Sequence, residues 1–244
     1  MMDIKRIHFT ETVSTNTYMK TYVREGEEPF VVCTADYQTA GRGQAGNHWE
    51  SDRDSNLLFT LVHYAPPVIP AQQFMLSQAV ALAVIDVLQC HIPTEASHFS
   101  IKWPNDIYWR DRKIAGILIE HELTGMHILR TLIGVGLDVN QPTFHSDAPN
   151  PVSMFQITGQ TYDREILLTD FLEAYTKRLE TPADVLDNAF HDTLYRRGIA
   201  ARFRDADGEF TGVIEGTEPD GRLRLHKNDG TLHLYAFKEI AYII

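Results

Sequence analysis

Two cations in this sequence sit where their neighbours would hold them still. Lys102 lies in Ser100-Ile101-Lys102-Trp103-Pro104-Asn105-Asp106, between a short apolar strand and a turn. Proline fixes φ and drives the preceding Trp103 toward extended geometry, while Asn105 and Asp106 can close the turn with their own side chains. A lysine in that setting is positioned rather than merely solvated. Arg42 lies in Asp36-Tyr37-Gln38-Thr39-Ala40-Gly41-Arg42-Gly43-Gln44-Ala45-Gly46-Asn47-His48-Trp49. Glycine lets the chain approach a ligand closely and present backbone N–H groups to it. Arg42 adds a planar, permanently charged donor suited to carboxylate or phosphate.

The elements that must carry these groups follow from the flanking patterns. Gly41, Gly43 and Gly46 spell G-x-G-x-x-G, but a dinucleotide-binding turn needs those glycines to open a helix, with an acidic residue further on. Here they connect the apolar run Phe30–Ala35 to a second strand-like run, 56–62, so the segment is strand, glycine loop, strand. Ile4–Phe9 reads as an opening strand, and Ser14-Thr15 supplies N-cap chemistry for a helix over 14–24 with Gly26 just beyond it. Pro70 opens a long apolar helix over 71–90, a core element. Strands are expected over 99–102, 105–109, 113–123 and 126–137, with Thr124-Gly125 as the tight turn. Residues 141–151, rich in proline and small polar side chains, read as a mobile loop. Asp163 can cap a helix reaching Leu179, a further helix spans 183–195, and short strands follow around Asp207-Gly208, Asp220-Gly221 and Asp229-Gly230, the signature of a small β-barrel.

At 244 residues the chain can bury one sizeable core and a smaller one, and a division into 1–194 and 195–244 is expected. The formal net charge of −11 argues against a nucleic-acid surface, which needs clustered Lys and Arg. No signal peptide or membrane span is read, so the cytoplasm is the expected location. Cys33 and Cys90 lack metal spacing and read as buried free thiols.

Ser14-Thr15-Asn16, Gln38 with Gly41-Arg42-Gly43, Lys102-Trp103-Pro104-Asn105-Asp106 and Ile133-Gly134-Val135-Gly136-Leu137 occur in the order and spacing of the biotin protein ligases, which this sequence resembles from near residue 5 to its C-terminus. The resemblance implies an α+β fold, with a mixed, mostly antiparallel sheet and packed helices of the class II synthetase-like ligase type, plus an SH3-like C-terminal barrel. It implies joining of biotin to ATP as biotinyl-5′-adenylate, with Mg²⁺ entering on the nucleotide, then transfer to a lysine of a biotin carboxyl carrier domain of acetyl-CoA carboxylase or a related carboxylase. Lys102 and Arg42 would neutralise charge as the biotin carboxylate meets the α-phosphate. Ser14, Thr15 and Gln38 would meet the ureido group, with Asn16 supporting the local turn. Gly41, Gly43, Gln44, Gly116, Gly134 and Gly136 would complete the biotin site, and Trp49, Asn105, Asp138 and Asn140 the adenylate site beside Arg42, Gly43, Gln44 and Lys102. Metal ligands are not assigned.

Departures from the family pattern stand at Gln44 and Ala45, where an arginine is common, and at Asp138, where asparagine is. An N-terminal DNA-binding domain is not expected, because the first strand begins at Ile4. Loops 41–50 and 141–151 are expected to order over the adenylate, with Trp49 or Phe144 covering adenine. A lipoate or octanoate ligase and a non-catalytic biotin-adenylate sensor are the alternatives, and the chain is expected to be a monomer or homodimer.

Overall fold

Apolar residues at almost every position suit strands covered on both faces. The two such runs, β2 (Phe30–Ala35) and β3 (Leu57–Tyr64), lie inside a seven-stranded sheet. The computed structural model describes residues 4–44, 48–146 and 149–244. The other strands are β1 (Ile4–Phe9), β4 (Phe99–Lys102), β5 (Asp106–Trp109), β6 (Arg112–Thr124) and β7 (His127–Leu137), in the spatial order β1-β2-β3-β7-β6-β5-β4. β1 pairs parallel with β2, and every other neighbouring pair is antiparallel.

Strand alternation divides the core in two. Phe30, Val32, Phe59, Leu61, Ile133 and Val135 face a helical layer made of α2 (Phe74–His91), α4 (Arg164–Leu179) and α5 (Ala183–Asp192). Val31, Cys33, Val62 and Leu132 face the short α1 (Thr15–Thr21) through Met19. α2 is long and apolar enough to cross a membrane by length and composition, yet most of its apolar stretch is buried inside this fold. α1 stops three residues short of the sequence expectation. Arg130 of β7 donates to the carbonyls of Met19, Lys20 and Tyr22, so a cation caps the helix end that glycine was expected to terminate. Asp163 caps α4 as expected, accepting from the N–H groups of Glu165 and Ile166.

The stretch read as a mobile loop begins with a fixed residue. Gln141 is fully buried, and its Oε1 accepts from the Asp52 N–H and from Asn56 Nδ2. A short helix, α3 (Met154–Thr158), follows with a complete capping box on Ser153 and Gln156. Cys33 is buried, and burial pushes its thiol up to about 12. Cys90 corrects its expectation: it sits on the exposed flank of α2.

The C-terminal strands β8 (Ala200–Asp205), β9 (Gly208–Thr217), β10 (Leu223–Lys227), β11 (Leu232–Tyr235) and β12 (Ala241–Tyr242) form a second, antiparallel sheet ordered β11-β10-β9-β8-β12. Gly208, Gly221 and Gly230 take positive φ at the three expected turns. The Trp103 indole N–H donates to the Gly221 carbonyl at 2.8 Å, tying this sheet to the turn after β4.

Candidate functional site

Glycines in strands weaken pairing unless something must approach the sheet, and three of them mark the site. Gly116 of β6 lies opposite Gly136 of β7, and Gly134 lies opposite both Leu118 and Thr60. All three face α1, leaving a trench without side chains along the middle of the sheet. Asn16 settles into it at Gly134, where any Cβ would collide with its amide. The Trp49 ring settles into it at the other two, with ring atoms 2.8 Å from a Cβ placed on Gly116 and 2.5 Å from one on Gly136. The remaining cavity is about 50 Å³, and Ser14, Thr15, Gln38, Arg42, Gly43 and Gln44 are among the residues around it.

The polar wall is built from α1 and the residues just before the glycine loop. Ser14 occupies the N-cap position with extended backbone, yet its side chain does not cap the helix and instead lines the cavity. Gln38 Oε1 accepts from the Thr15 N–H at 2.7 Å, and the Thr15 hydroxyl lies 3.2 Å from it. Its Nε2 is therefore the end of the amide left for a ligand. Both residues line the cavity. Gly41 packs under Gln38 and Trp49, which explains its lack of a side chain.

The cations are arranged differently from the expectation. Lys102, Asp106, Gly116 and Gly136 form one cross-strand row, but Lys102 stands on β4, two strands out from Gly116, or about 10 Å. Its ammonium bonds the Tyr108 hydroxyl at 3.1 Å and lies 4.9 and 5.1 Å from the ring centres of Tyr108 and Tyr242. It does not line the cavity. Lys113, at the start of β6, does: its Nζ pairs with Asp106 at 2.7 Å and lies 5.5 Å from the Trp49 ring centre. Arg42 lines the cavity but turns its guanidinium to Glu120 at 3.7 Å. Glu120 lies four residues along β6 from Gly116, about 13 Å, so Arg42 and Lys113 mark opposite ends of the trench.

Of the residues expected around a nucleotide, Arg42, Gly43, Gln44, Trp49 and Asn105 reach the cavity. Asn105 is fixed to β6, its Nδ2 donating to the Ile117 carbonyl at 2.6 Å. Asn140 is spent elsewhere, its amide bonding both the N–H and the carbonyl of Tyr162. Asp138 is buried, does not line the cavity, and accepts from Asn56 Nδ2 at 3.0 Å. Burial pushes its carboxyl well above the usual carboxylate range, and Lys113 only partly opposes this. Ala45 lies outside the described residues. Phe144 is not among the residues around either cavity named here. Glu50 links the two loops, accepting from the N–H groups of His145 at 2.6 Å and Ser146 at 2.9 Å. Beside the trench a larger cavity of about 350 Å³ lies between the Trp103 turn and the C-terminal sheet, sharing Gln44, Asn105 and Ile117 with the first.

Sequence reasoning missed Lys113 and Thr60. Lys113 precedes a strand glycine by three residues in the same strand, and Thr60 is the one polar residue in an apolar run, which are the signals that could have found them.

The sequence and the fold are similar to those of known proteins. The biotin/lipoate A/B protein ligase family matches residues 9–138. The bifunctional ligase/repressor BirA of Bacillus subtilis is 31% identical over 216 residues, covering 83% of this chain and 63% of the longer relative. The biotin–[acetyl-CoA-carboxylase] ligase of Paracoccus denitrificans is 30% identical over 197 residues, 77% of this chain and 80% of that one. The fold matches that of the biotin protein ligase from Aquifex aeolicus in complex with biotin and ATP, with a TM-score of 0.77, 23% identity and 97% of each chain covered. The chain belongs to the biotin/lipoate A/B protein ligase family.

Proposed function

We propose that this chain joins biotin to ATP, releasing pyrophosphate, and passes the biotinyl group from the adenylate to a lysine of a biotin carboxyl carrier domain, releasing AMP. The carrier is that of acetyl-CoA carboxylase or a related carboxylase, and the reaction belongs in the cytoplasm. The observation that carries this reading is the order of groups along the trench: amide and hydroxyl groups around Gly134, bare glycine at 116 and 136, then Lys113. Biotin has the same order, with a ureido group of one acceptor and two donors, an apolar body, and a carboxylate at the end of its tail. Ser14, Thr15 and Gln38 take the ureido group.

Lys113, rather than Lys102, is the central cation of this reading. Held by Asp106, its ammonium meets the biotin carboxylate and stabilises the charge that develops as a carboxylate oxygen attacks the α-phosphorus. As a compact point charge it follows the reacting oxygens, where a guanidinium would impose one fixed fork. The glycine loop offers backbone N–H groups to the phosphates. Among the described residues no group of three or more His, Cys, Asp or Glu side chains forms a metal cage. Magnesium would therefore ride on the nucleotide phosphates, the usual manner for this ion. A space of about 50 Å³ is below the several hundred a small-molecule pocket provides. Biotin binding thus requires Trp49 to leave the glycines, after which its ring is available to cover the adenylate. We assign residues 1–194 to the catalytic domain and 195–244 to the smaller C-terminal one.

The test is transfer of labelled biotin to a carrier domain with Mg-ATP, comparing the wild-type chain with Lys113→Ala and with lipoate in place of biotin. Labelling that needs both biotin and Lys113 is expected. Carrier labelled by lipoate, or wild-type chain that binds biotin and labels nothing, overturns the reading.

A further inference from the structure

Thr60 lies on the central strand β3, is fully buried, and is the one polar side chain in residues 57–62. Its register partner on β7 is Gly134, whose missing side chain leaves room for Asn16 above it. The Thr60 hydroxyl has one proton and two polar neighbours, Thr15 Oγ1 at 2.8 Å and Asn16 Oδ1. Asn16 Oδ1 carries no proton, so Thr60 donates to it, and the Thr15 hydroxyl then gives its one proton to Thr60 in place of its longer 3.2 Å contact with Gln38 Oε1. Oδ1 is thereby anchored to the sheet, and Nδ2 is the free end of the amide. That nitrogen is buried without a hydrogen-bond partner, on a residue 4% exposed that lines the cavity. A buried donor left unpaired is costly, and such groups are rare unless something is missing from the site.

We propose that Thr60 is a positioning residue for ligand selection: it holds Asn16 Oδ1, so that Asn16 Nδ2 becomes a donor reserved for a carbonyl-type acceptor on the ligand, the ureido oxygen. The inference rests on the ligase reading above and deepens it. Asn16 then does more than support a turn, and a ligand with no acceptor at this point, such as a dithiolane, leaves the donor unpaired. The trench discriminates by what it would otherwise bury unsatisfied.

The experiment is biotin-dependent ATP–pyrophosphate exchange with the full chain, its Thr60→Val and Thr60→Ser variants, and 2-iminobiotin as the competing substrate, whose ring bears nitrogen in place of the ureido oxygen. Thr60→Val should raise KM for biotin roughly 10-fold while kcat and KM for ATP stay within about twofold, and should narrow the preference for biotin over 2-iminobiotin. Thr60→Ser, which keeps the proton, should restore both. Asn16→Asp is the second variant: it keeps the acceptor for Thr60 and removes the donor, and the same selective rise in KM is expected. Unchanged biotin KM and analogue preference in Thr60→Val and Asn16→Asp overturn the proposal, as does a Thr60→Val loss that falls equally on kcat, ATP and thermal stability and is not restored by serine. Absence of exchange in the wild-type chain would instead refute the ligase reading itself.

Discussion

Lys102 on β4 and Lys113 on β6 stand on the same sheet, on either side of β5, and the fold surrounds them differently. Lys102 stands between two tyrosines, one from its own hairpin and one from the C-terminal sheet, with its ammonium bonded to the Tyr108 hydroxyl and close to both rings. Lys113 is paired with the Asp106 carboxylate and lies over the Trp49 ring at the edge of the glycine trench. The difference comes from strand order. β6 shares the trench floor with β7, whereas β4 is the outermost strand and contacts the smaller sheet. A lysine in a rigid turn is held, but what it is held against depends on which strand lies next door.

The sharpest way to break this contrast is to remove each lysine in turn. Lys113→Ala should reduce biotin-dependent pyrophosphate exchange by roughly 100- to 1000-fold, the scale seen when a preorganised charge partner is lost, while Lys102→Ala should stay within about 10-fold. Equal losses would end the distinction. A group on the other face of the sheet calibrates what stability alone does. Burial beside Tyr175 lowers His63 to about 4 from its ordinary 6.5. The unfolded chain therefore binds the extra proton first as pH falls. The stability tied to neutral His63 is full above pH 6.5 and is lost as pH falls toward 4, by about 3 kcal/mol in all. His63→Gln should flatten the dependence of Tm on pH across that window, with little change in exchange at pH 7.5.

Smaller effects probe the trench itself. In Gly136→Ala the new Cβ stands 2.5 Å from the Trp49 ring, so the ring must move, and overpacking of this kind costs about 1 to 3 kcal/mol. KM for biotin and the melting temperature should both report it, whereas an alanine at the exposed turn residue Gly125 should leave KM for biotin unchanged. The mildest expectation concerns Gln44, whose Oε1 is buried without a partner. Both cavity cations already face carboxylates, Lys113 with Asp106 and Arg42 with Glu120. Gln44→Arg should slow escape of the adenylate a few-fold at low salt, read as hydroxylamine-trapped biotin over time. An unchanged escape rate would show that backbone N–H groups suffice.

Much of this was legible in the sequence because it depends on local rules. Strand runs, the Asp163 cap and the turns at Gly208, Gly221 and Gly230 follow from patterning and φ alone. The glycines at 116, 134 and 136 announced a close approach, and Ser14, Thr15 and Gln38 came together at it. What was not legible depends on lateral position. Nothing within residues 99–113 says which of these strands floors the glycine trench, and with β5 between them β4 carries Lys102 two strands from Gly116 while β6 carries Lys113 to the cavity. Asn140 shows the same limit, since its tie to Tyr162 joins segments that only the folded chain brings together.

Trp49 has a consequence of a different kind. Of the three tryptophans, Trp103 and Trp109 have their indole N–H groups tied to Gly221 and Glu95, while that of Trp49 is buried without a partner. The ring that fills the trench is therefore also a fluorophore with a buried, unpaired N–H, whose surroundings change if biotin displaces it as proposed. A change in its emission on adding biotin would report the fraction of molecules with an open trench, and the intrinsic Kd divided by that fraction gives the apparent one. The molecule carries its own optical gauge of how ready it is to bind.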